Sequence, residues 1–199
     1  MFVMVQNKYQ SIRKRRTLSI NFPVNKKYKV IYADPPWSFK SFSPKGDDRN
    51  PNQHYQTLEL KDITDLPVKQ IADDNCTLLM WVVDHSLDLA FDVIDAWGFQ
   101  YKTVGFTWAK TNKNKLGFFT GLGYWTRGNP EMCLLATKGK PKRKSKSVPQ
   151  LVVSNRERHS KKPDIMYQHI ENLLSGPYIE LFARQRREGW DAWGNQIEA

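Results

Sequence analysis

Six short apolar runs, separated by segments with helical spacing, constrain the fold of this chain more than any other feature. Runs rich in β-branched and aromatic residues predict buried strands, whereas apolar residues at 87, 90, 91, 94 and 97 form a helical stripe. Several strand-like runs are apolar throughout, which is typical of a parallel sheet covered on both faces. The pattern predicts an α/β fold with a mostly parallel sheet and helices on both faces. The predicted strands are 28–33, 76–83, 99–109, 131–137, 151–153 and 178–183, and the predicted helices are 57–71, 87–97 and 163–174.

The first of these runs ends abruptly at the tetrapeptide Asp34-Pro35-Pro36-Trp37. Proline has no backbone N–H, so the loop after the strand presents oxygen atoms with few competing donors. Such a loop suits a flat base whose exocyclic amino group has two N–H donors. Acceptors that grip these hydrogens would free the nitrogen lone pair for attack, and Trp37 would pack on the base. The alternative is a strand that simply ends in an aspartate-capped proline turn.

The composition is that of a globular protein, with 40% hydrophobic and 13% aromatic residues among 199. We predict a basic N-terminal arm over residues 1–27 and one domain over residues 28–199. There is no apolar stretch that would span a bilayer and no secretory signal, which favours a cytoplasmic protein. Cys76 and Cys133 lie inside apolar runs, so we expect buried thiols and no metal site.

The net charge is strongly positive, with 31 Lys and Arg residues against 20 Asp and Glu, or +11. Such an excess indicates a polyanionic partner, most often nucleic acid. The loop at 38–56, rich in Ser, Pro, Asn and charged residues, directly follows the proposed site and is predicted to be a flexible substrate lid. The positive charge is clustered at 14–16, 138–146, 156–162 and 184–187.

A second group of candidate residues lies towards the C-terminus. The last predicted strand carries Glu180 and Phe182, with Arg184 at its exit, and Asn195 and Gln196 follow a glycine. These side chains suit a nucleoside. Cations and a hydroxyl just before the 163–174 helix suit a carboxylate, because a helix N-terminus favours anions. Ligands of parallel sheets bind beyond the carboxyl ends of the strands, so Asp34 and Arg184 are expected to share one crevice.

Taken together, these motifs resemble the permuted N6-adenine methyltransferases, the family of the catalytic subunit of the eukaryotic messenger-RNA N6-adenosine methyltransferase and its bacterial and phage relatives. The resemblance covers about residues 28–197 and follows the family's motif order. It implies a Rossmann-like class I methyltransferase fold with circularly permuted motifs. The matching segments are 33–37, 79–82, 97–99, 108–110, 129–134, 159–163, 180–184 and 193–196.

The resemblance also implies a role for each matching residue. S-adenosylmethionine would be the methyl donor and adenine the acceptor, with catalysis by the loop formed by Asp34, Pro35, Pro36 and Trp37. The residues implied for the donor are Asp34, Lys162, Glu180, Phe182, Arg184, Asn195 and Gln196. The residues assigned to the nucleic-acid substrate are Tyr55, Trp108, Lys110 and Glu131, together with Arg186 and Arg187, which exceed the basic charge that the family requires.

We expect DNA rather than RNA as the substrate, because the chain is compact and carries no recognisable RNA-binding module. RNA adenine, the similar amino group of cytosine, and a non-catalytic nucleic-acid-binding subunit remain alternatives. A homodimer or a helper subunit is also expected, because a domain this small has little surface for reading a specific site.

Overall fold

The computed structural model describes residues 22–38, 57–123, 125–156 and 161–197. Most of the predicted basic arm and of the predicted lid, residues 1–21 and 39–56, lie outside these ranges. The strands are β1 Tyr28–Ala33, β2 Ala72–Val82, β3 Gln100–Thr111, β4 Glu131–Lys138, β5 Leu151–Asn155, β6 Tyr178–Leu181 and β7 Trp190–Trp193. The helices are α1 Leu60–Thr64, α2 Val68–Ile71, α3 Leu87–Ala96 and α4 Ile165–Leu173.

All seven of these strands form one sheet, in the order β5-β3-β4-β2-β1-β6-β7. The pairs β1–β2, β1–β6, β3–β5 and β6–β7 are parallel, whereas β4 is antiparallel to both β2 and β3. The mostly parallel sheet is therefore confirmed. Two consecutive strands can pair in parallel only if a crossover connection, usually a helix, joins them. The described part of the connection between β3 and β4 contains no helix, and β4 accordingly runs antiparallel to β3.

Helices cover both faces of the sheet, as predicted. Ile31 and Ala33 of β1 pack in a core with residues of α1, α2 and α3. Val30 and Tyr32 of the same strand pack on the other face with residues of α4. Because successive strand residues point to opposite faces, a strand that is covered on both sides is apolar throughout.

Three details differ from the sequence prediction. The predicted helix at 57–71 is two short helices, because Pro67 begins the second one. Asp164 is the N-cap of α4, so Pro163 precedes the helix instead of lying in its first turn. Strand β7 was not predicted, since its four residues lie in a segment with glycine and charged residues that is typical of a loop.

Two other predictions, on the end of the 87–97 helix and on the cysteines, are confirmed. Helix α3 ends at Ala96, and Gly98 then adopts a φ of 80°, which favours glycine. Cys76 and Cys133 are fully buried free thiols. Within the described ranges, none of the helices is long and apolar enough to cross a membrane.

Candidate active site

The candidate site lies at the carboxyl edge of the parallel strands. Strands β1 and β6 are parallel neighbours, with Ala33 opposite Leu181. The next residue, Asp34, donates its backbone N–H to the Leu181 carbonyl at 3.4 Å. Asp34 and Arg184 line one cavity, so the predicted shared crevice exists.

Four charged side chains form a continuous chain of ion pairs at this edge. Lys162 Nζ lies 2.8 Å from both carboxylate oxygens of Asp34 and 3.3 Å from Oε2 of Glu131. Lys110 Nζ donates to the other oxygen of Glu131 at 2.6 Å. Glu131 is the first residue of β4, and its position here follows from the reversed direction of that strand. Two cations and two carboxylates thus neutralise each other in a partly buried place.

The pKa values of these groups reflect burial and the neighbouring charges. Burial raises the pKa of Asp34, although Lys162 opposes this effect. Burial would also raise the pKa of Glu131, but Lys162 and Lys110 outweigh it, and that pKa is lowered. Burial disfavours charge on Lys162, but Asp34 and Glu131 outweigh it and raise its pKa. Lys162 is therefore protonated at neutral pH, and the two carboxylates that it joins shift in opposite directions.

A cavity of about 330 Å³ lies on one side of this chain of ion pairs. The Tyr167 hydroxyl, inside it, donates to Oε2 of Glu180 at 2.8 Å. Burial raises the pKa of Glu180 to about 7, even though Tyr167 opposes this shift. Six residues predicted to bind a donor line the cavity, namely Asp34, Lys162, Glu180, Phe182, Arg184 and Gln196.

Two backbone features shape the far end of this cavity. Phe182, just after β6, has a φ of 62°. This left-handed conformation costs free energy for a residue with a Cβ, and such residues are concentrated at functional sites. Gly194 follows β7 and packs directly on the Ala183 backbone, where a Cβ would lie 2.2 Å from the Ala183 carbonyl oxygen. The close approach brings Gln196 to the cavity wall, whereas Asn195 is exposed and does not line it.

The loop predicted to be catalytic, residues 34–37, differs from the prediction in two ways. The Pro35 carbonyl accepts from the Trp37 N–H at 2.8 Å, and the Pro36 carbonyl accepts from the Leu58 N–H at 3.0 Å. The expectation that these oxygens lack competing donors is therefore wrong, although each carbonyl keeps a second lone pair. Trp37 is only 6% exposed, and its indole N–H donates to the Trp81 carbonyl at 3.0 Å. Trp37 thus holds the loop on the core, and the broad face predicted to stack on a base is mostly covered.

A second cavity, of about 830 Å³, lies on the other side of the ion pairs and includes Lys110 and Glu131 in its wall. The Asn129 side chain joins two parts of this wall. Its oxygen accepts from the Lys110 backbone N–H, and its amide nitrogen donates to the carbonyls of Lys110 and Phe119. The Arg156 guanidinium stacks 4.2 Å from the centre of the Phe119 ring. The wall thus offers an aromatic group, cations and a carboxylate, and the carboxylate of Glu131 contacts Lys162.

The other residues predicted to bind the substrate lie in different environments. Trp108 is 2% exposed and packs in the core, because its position in β3 faces inward. The Lys110 ammonium lies over its ring, 5.3 Å from the ring centre. Arg187 stacks on Tyr167 at 3.9 Å and pairs with Asp164 at 3.0 Å, so it contacts two residues of the smaller cavity's wall without lining the cavity itself. Arg186 is exposed. Tyr55 lies outside the described residues.

Sequence reasoning did not assign several residues of the larger cavity to the site, although it placed Arg156 in a basic cluster. Asp84 and His85 come one residue after the end of β2, and Arg156 directly follows β5. The rule that placed Asp34 and Arg184 at the ends of strands would have found these three residues as well. Phe119 and Arg127 lie in the irregular β3–β4 connection, where no pattern singles them out.

The predicted phosphate-binding stretch at 138–146 lies at the opposite edge of the sheet. Lys138, at the end of β4, is opposite Cys76, near the start of β2. Lys144 Nζ donates to the Glu171 carbonyl at 2.8 Å. This cluster therefore does not face the candidate site.

The sheet, its two helical layers and the paired cavities at one edge define a Rossmann-like α/β fold of the kind that methyltransferases share. The family model described as MT-A70 matches residues 28–196. The chain is 35% identical to the type II methyltransferase M.MunI of Mycoplasma sp, over 86% of this chain and 78% of that protein. It is 30% identical to the human N(6)-adenosine-methyltransferase catalytic subunit METTL3, over 86% of this chain and 28% of that protein. An MT-A70-like N(6)-adenosine-methyltransferase of Arabidopsis thaliana is 28% identical, over 84% and 23%.

The chain therefore belongs to the MT-A70 family, and it is a methyltransferase. It spans most of the bacterial relative but about a quarter of the two eukaryotic ones.

Proposed function

We propose that this protein is a site-specific DNA methyltransferase that transfers a methyl group from S-adenosylmethionine to the exocyclic amino nitrogen (N6) of adenine. The observation that carries the proposal is that Asp34 and Lys162 line the smaller cavity, while Lys162 also pairs with Glu131, which lines the larger one. A donor in the smaller cavity and a base in the larger one would meet at this chain of ion pairs, next to Asp34.

The residues of the smaller cavity fit S-adenosylmethionine. Its volume of about 330 Å³ is within the range of small-molecule sites. Lys162 and Asp34 supply opposite charges for the carboxylate and the ammonium group of an amino acid. Glu180 offers acceptors for ribose hydroxyls, Phe182 an apolar wall, and Gln196 an amide for the adenine edge. When bound, S-adenosylmethionine supplies a methyl group on a positively charged sulfur.

The residues at the junction of the cavities can hold and activate the amino group of a base. The Asp34 carboxylate has about four acceptor positions, of which Lys162 uses two. The free lone pairs of the Pro35 and Pro36 carbonyls provide further acceptors. Gripping both N–H groups localises the nitrogen lone pair, and positioning then supplies most of the acceleration.

A strong general base is not required, because the amino nitrogen loses a proton only after it has gained the methyl group and a positive charge. Burial raises the pKa of Asp34, which makes its carboxylate a suitable acceptor for that proton. Lys162, which is itself paired with Glu131, holds Asp34 in place meanwhile.

Nucleic acid as the acceptor is supported by the charge of the chain and of the larger cavity. The net charge is +11, and Lys110, Arg127 and Arg156 line the cavity. DNA is favoured because the chain spans 78% of the type II methyltransferase and only 28% of the human N(6)-adenosine-methyltransferase subunit. RNA adenosine is the second candidate, since the names of the eukaryotic relatives state that activity.

The test is to incubate the pure protein with labelled S-adenosylmethionine and matched DNA and RNA pools, and to weigh the digested nucleosides. We expect N6-methyladenine in DNA. Asp34→Ala should abolish it while partly preserving equilibrium binding of S-adenosylmethionine, and the exposed Asp65→Ala should retain activity. Methylcytosine, product in RNA alone, or full activity of the Asp34 variant would contradict the proposal.

A further inference from the structure

Trp125 is the exception among the tryptophans of this chain. The other six are at most 6% exposed, whereas Trp125 is 97% exposed. Leu122, in the same β3–β4 connection, is 64% exposed. Exposed apolar patches, unlike single exposed side chains, mark places where a protein binds a partner.

The segment that carries both side chains is closed at its base. The Gly121 N–H donates to the Gly128 carbonyl at 2.8 Å, and the Gly128 N–H donates to the Leu122 carbonyl at 3.2 Å. A Cβ at Gly121 would lie 2.7 Å from the Gly128 carbonyl oxygen, so the two sides of the loop touch there. Residues 121–123 and 125–128, which we call the apolar tip, thus belong to a segment whose two sides meet at its base.

The apolar tip stands at the mouth of the larger cavity. Gly121, Leu122, Arg127 and Gly128 all line that cavity. On the proposed function, the cavity receives the target adenine. The apolar tip is therefore next to the place from which the base must come.

The charge around the apolar tip indicates what kind of partner covers it. Residues 111–130 contain Lys113, Lys115 and Arg127 and no acidic residue. A basic loop with an apolar end complements a duplex, which is anionic outside and apolar between its stacked bases. The same loop of a second copy would repel it.

We propose that Trp125 and Leu122 insert into duplex DNA beside the target adenine and fill the space that the base leaves when it enters the larger cavity. Extruding a paired base costs stacking and pairing energy, and an inserted apolar side chain offsets part of that cost. This inference rests on the proposed function and adds that the enzyme acts on paired DNA.

The experiment compares kcat/KM on three DNAs with the same target sequence: a paired duplex, a duplex with the adenine opposite an abasic site, and a single strand. Trp125→Ala should lower kcat/KM about 10- to 100-fold on the paired duplex, the usual effect of losing one base-stacking side chain. It should change the other two little, because their target base is already unpaired. Leu116→Ala is the control, since Leu116 is fully exposed in the same connection but does not line the cavity.

If Trp125→Ala lowers kcat/KM equally on all three DNAs, or on none of them, the proposal that Trp125 inserts into the duplex is wrong. Sedimentation gives an independent check, because a dimer that dissociates in the Trp125 variant would mean that a second copy covers the apolar tip. Activity of the unmodified protein on the single strand tests the proposed function separately. If it methylates none of the three DNAs, both proposals fail.

Discussion

Lys162 Nζ lies 2.8 Å from both carboxylate oxygens of Asp34, although the two residues are 128 positions apart in the chain. The same ammonium group lies 3.3 Å from Glu131, so its three N–H groups all face these two carboxylates. A ligand carboxylate that binds Lys162 must therefore replace one of them. Lys162 thus connects the ligand site of the smaller cavity with Glu131, which lines the larger cavity.

The first prediction concerns the stability that Lys162 provides. Lys162→Met leaves two partly buried carboxylates without their shared cation, which raises the pKa of each. Ionised carboxyl groups with a raised pKa destabilise the folded state as the pH rises. We expect a loss of about 2–3 kcal/mol in the free energy of unfolding at pH 8 and a smaller loss at pH 5, measured by urea denaturation.

The neighbouring Lys161→Met is the matched control. Its pair with Asp164 is more exposed, with side-chain accessibilities of 31% and 48%, and such pairs contribute about 0–1 kcal/mol. A Lys162 variant no less stable than this control, or equally destabilised at both pH values, would show that the ion pairs do not support the fold.

The second prediction concerns Glu180, whose pKa is raised to about 7 by burial. Between its ordinary value of about 4.5 and 7, the folded state binds more protons than the unfolded state, so ionisation lowers stability as the pH rises. Glu180→Gln removes this cost and keeps an acceptor for Tyr167. We expect it to raise the free energy of unfolding by roughly 2–3 kcal/mol at pH 8 and by little at pH 4. If the free energy of unfolding rises equally at both pH values, or if the exposed Glu188→Gln raises it as much, then ionisation of buried Glu180 does not destabilise the fold.

The third prediction concerns the close approach at Gly194. In Gly194→Ala, a Cβ would collide with the Ala183 carbonyl and push Gln196 from the cavity. We expect a loss of about 2–3 kcal/mol in stability, with weaker binding of S-adenosylmethionine in calorimetry. Gly189→Ala has open space and only the strain of a φ of 77°, so it should cost about 1 kcal/mol and leave binding unchanged. Equal effects of the two substitutions would refute the steric argument.

The fourth prediction separates two adjacent arginines. Arg187→Ala should lower the melting temperature, because it removes the stack on Tyr167 and the pair with Asp164. Arg186→Ala should leave stability unchanged and, if Arg186 binds a phosphate, reduce the salt dependence of DNA binding by about one unit in log–log slope. The reverse result, a stability loss at Arg186 and a slope change at Arg187, would assign the roles the other way.

Much of this protein could be predicted from its sequence. The apolar runs and the stripe of α3 depend on neighbours within a few residues, so their periods predicted the strands, the helix and its end at Gly98. The rule that ligands bind at the carboxyl ends of parallel strands placed Asp34 and Arg184 together. The family motifs supplied Lys162, Glu180, Phe182 and Gln196, all of which line the smaller cavity.

Only the tertiary structure decided which of several similar residues face a cavity. Trp37 and Trp108 are buried while Trp125 is exposed, and Arg187 is engaged while Arg186 faces solvent. The reversal of β4 brings Glu131 to Lys162. The physical reason is range: hydrophobic period and turn chemistry act between near neighbours in the chain, whereas the order and direction of strands determine which distant side chains share one edge of the sheet.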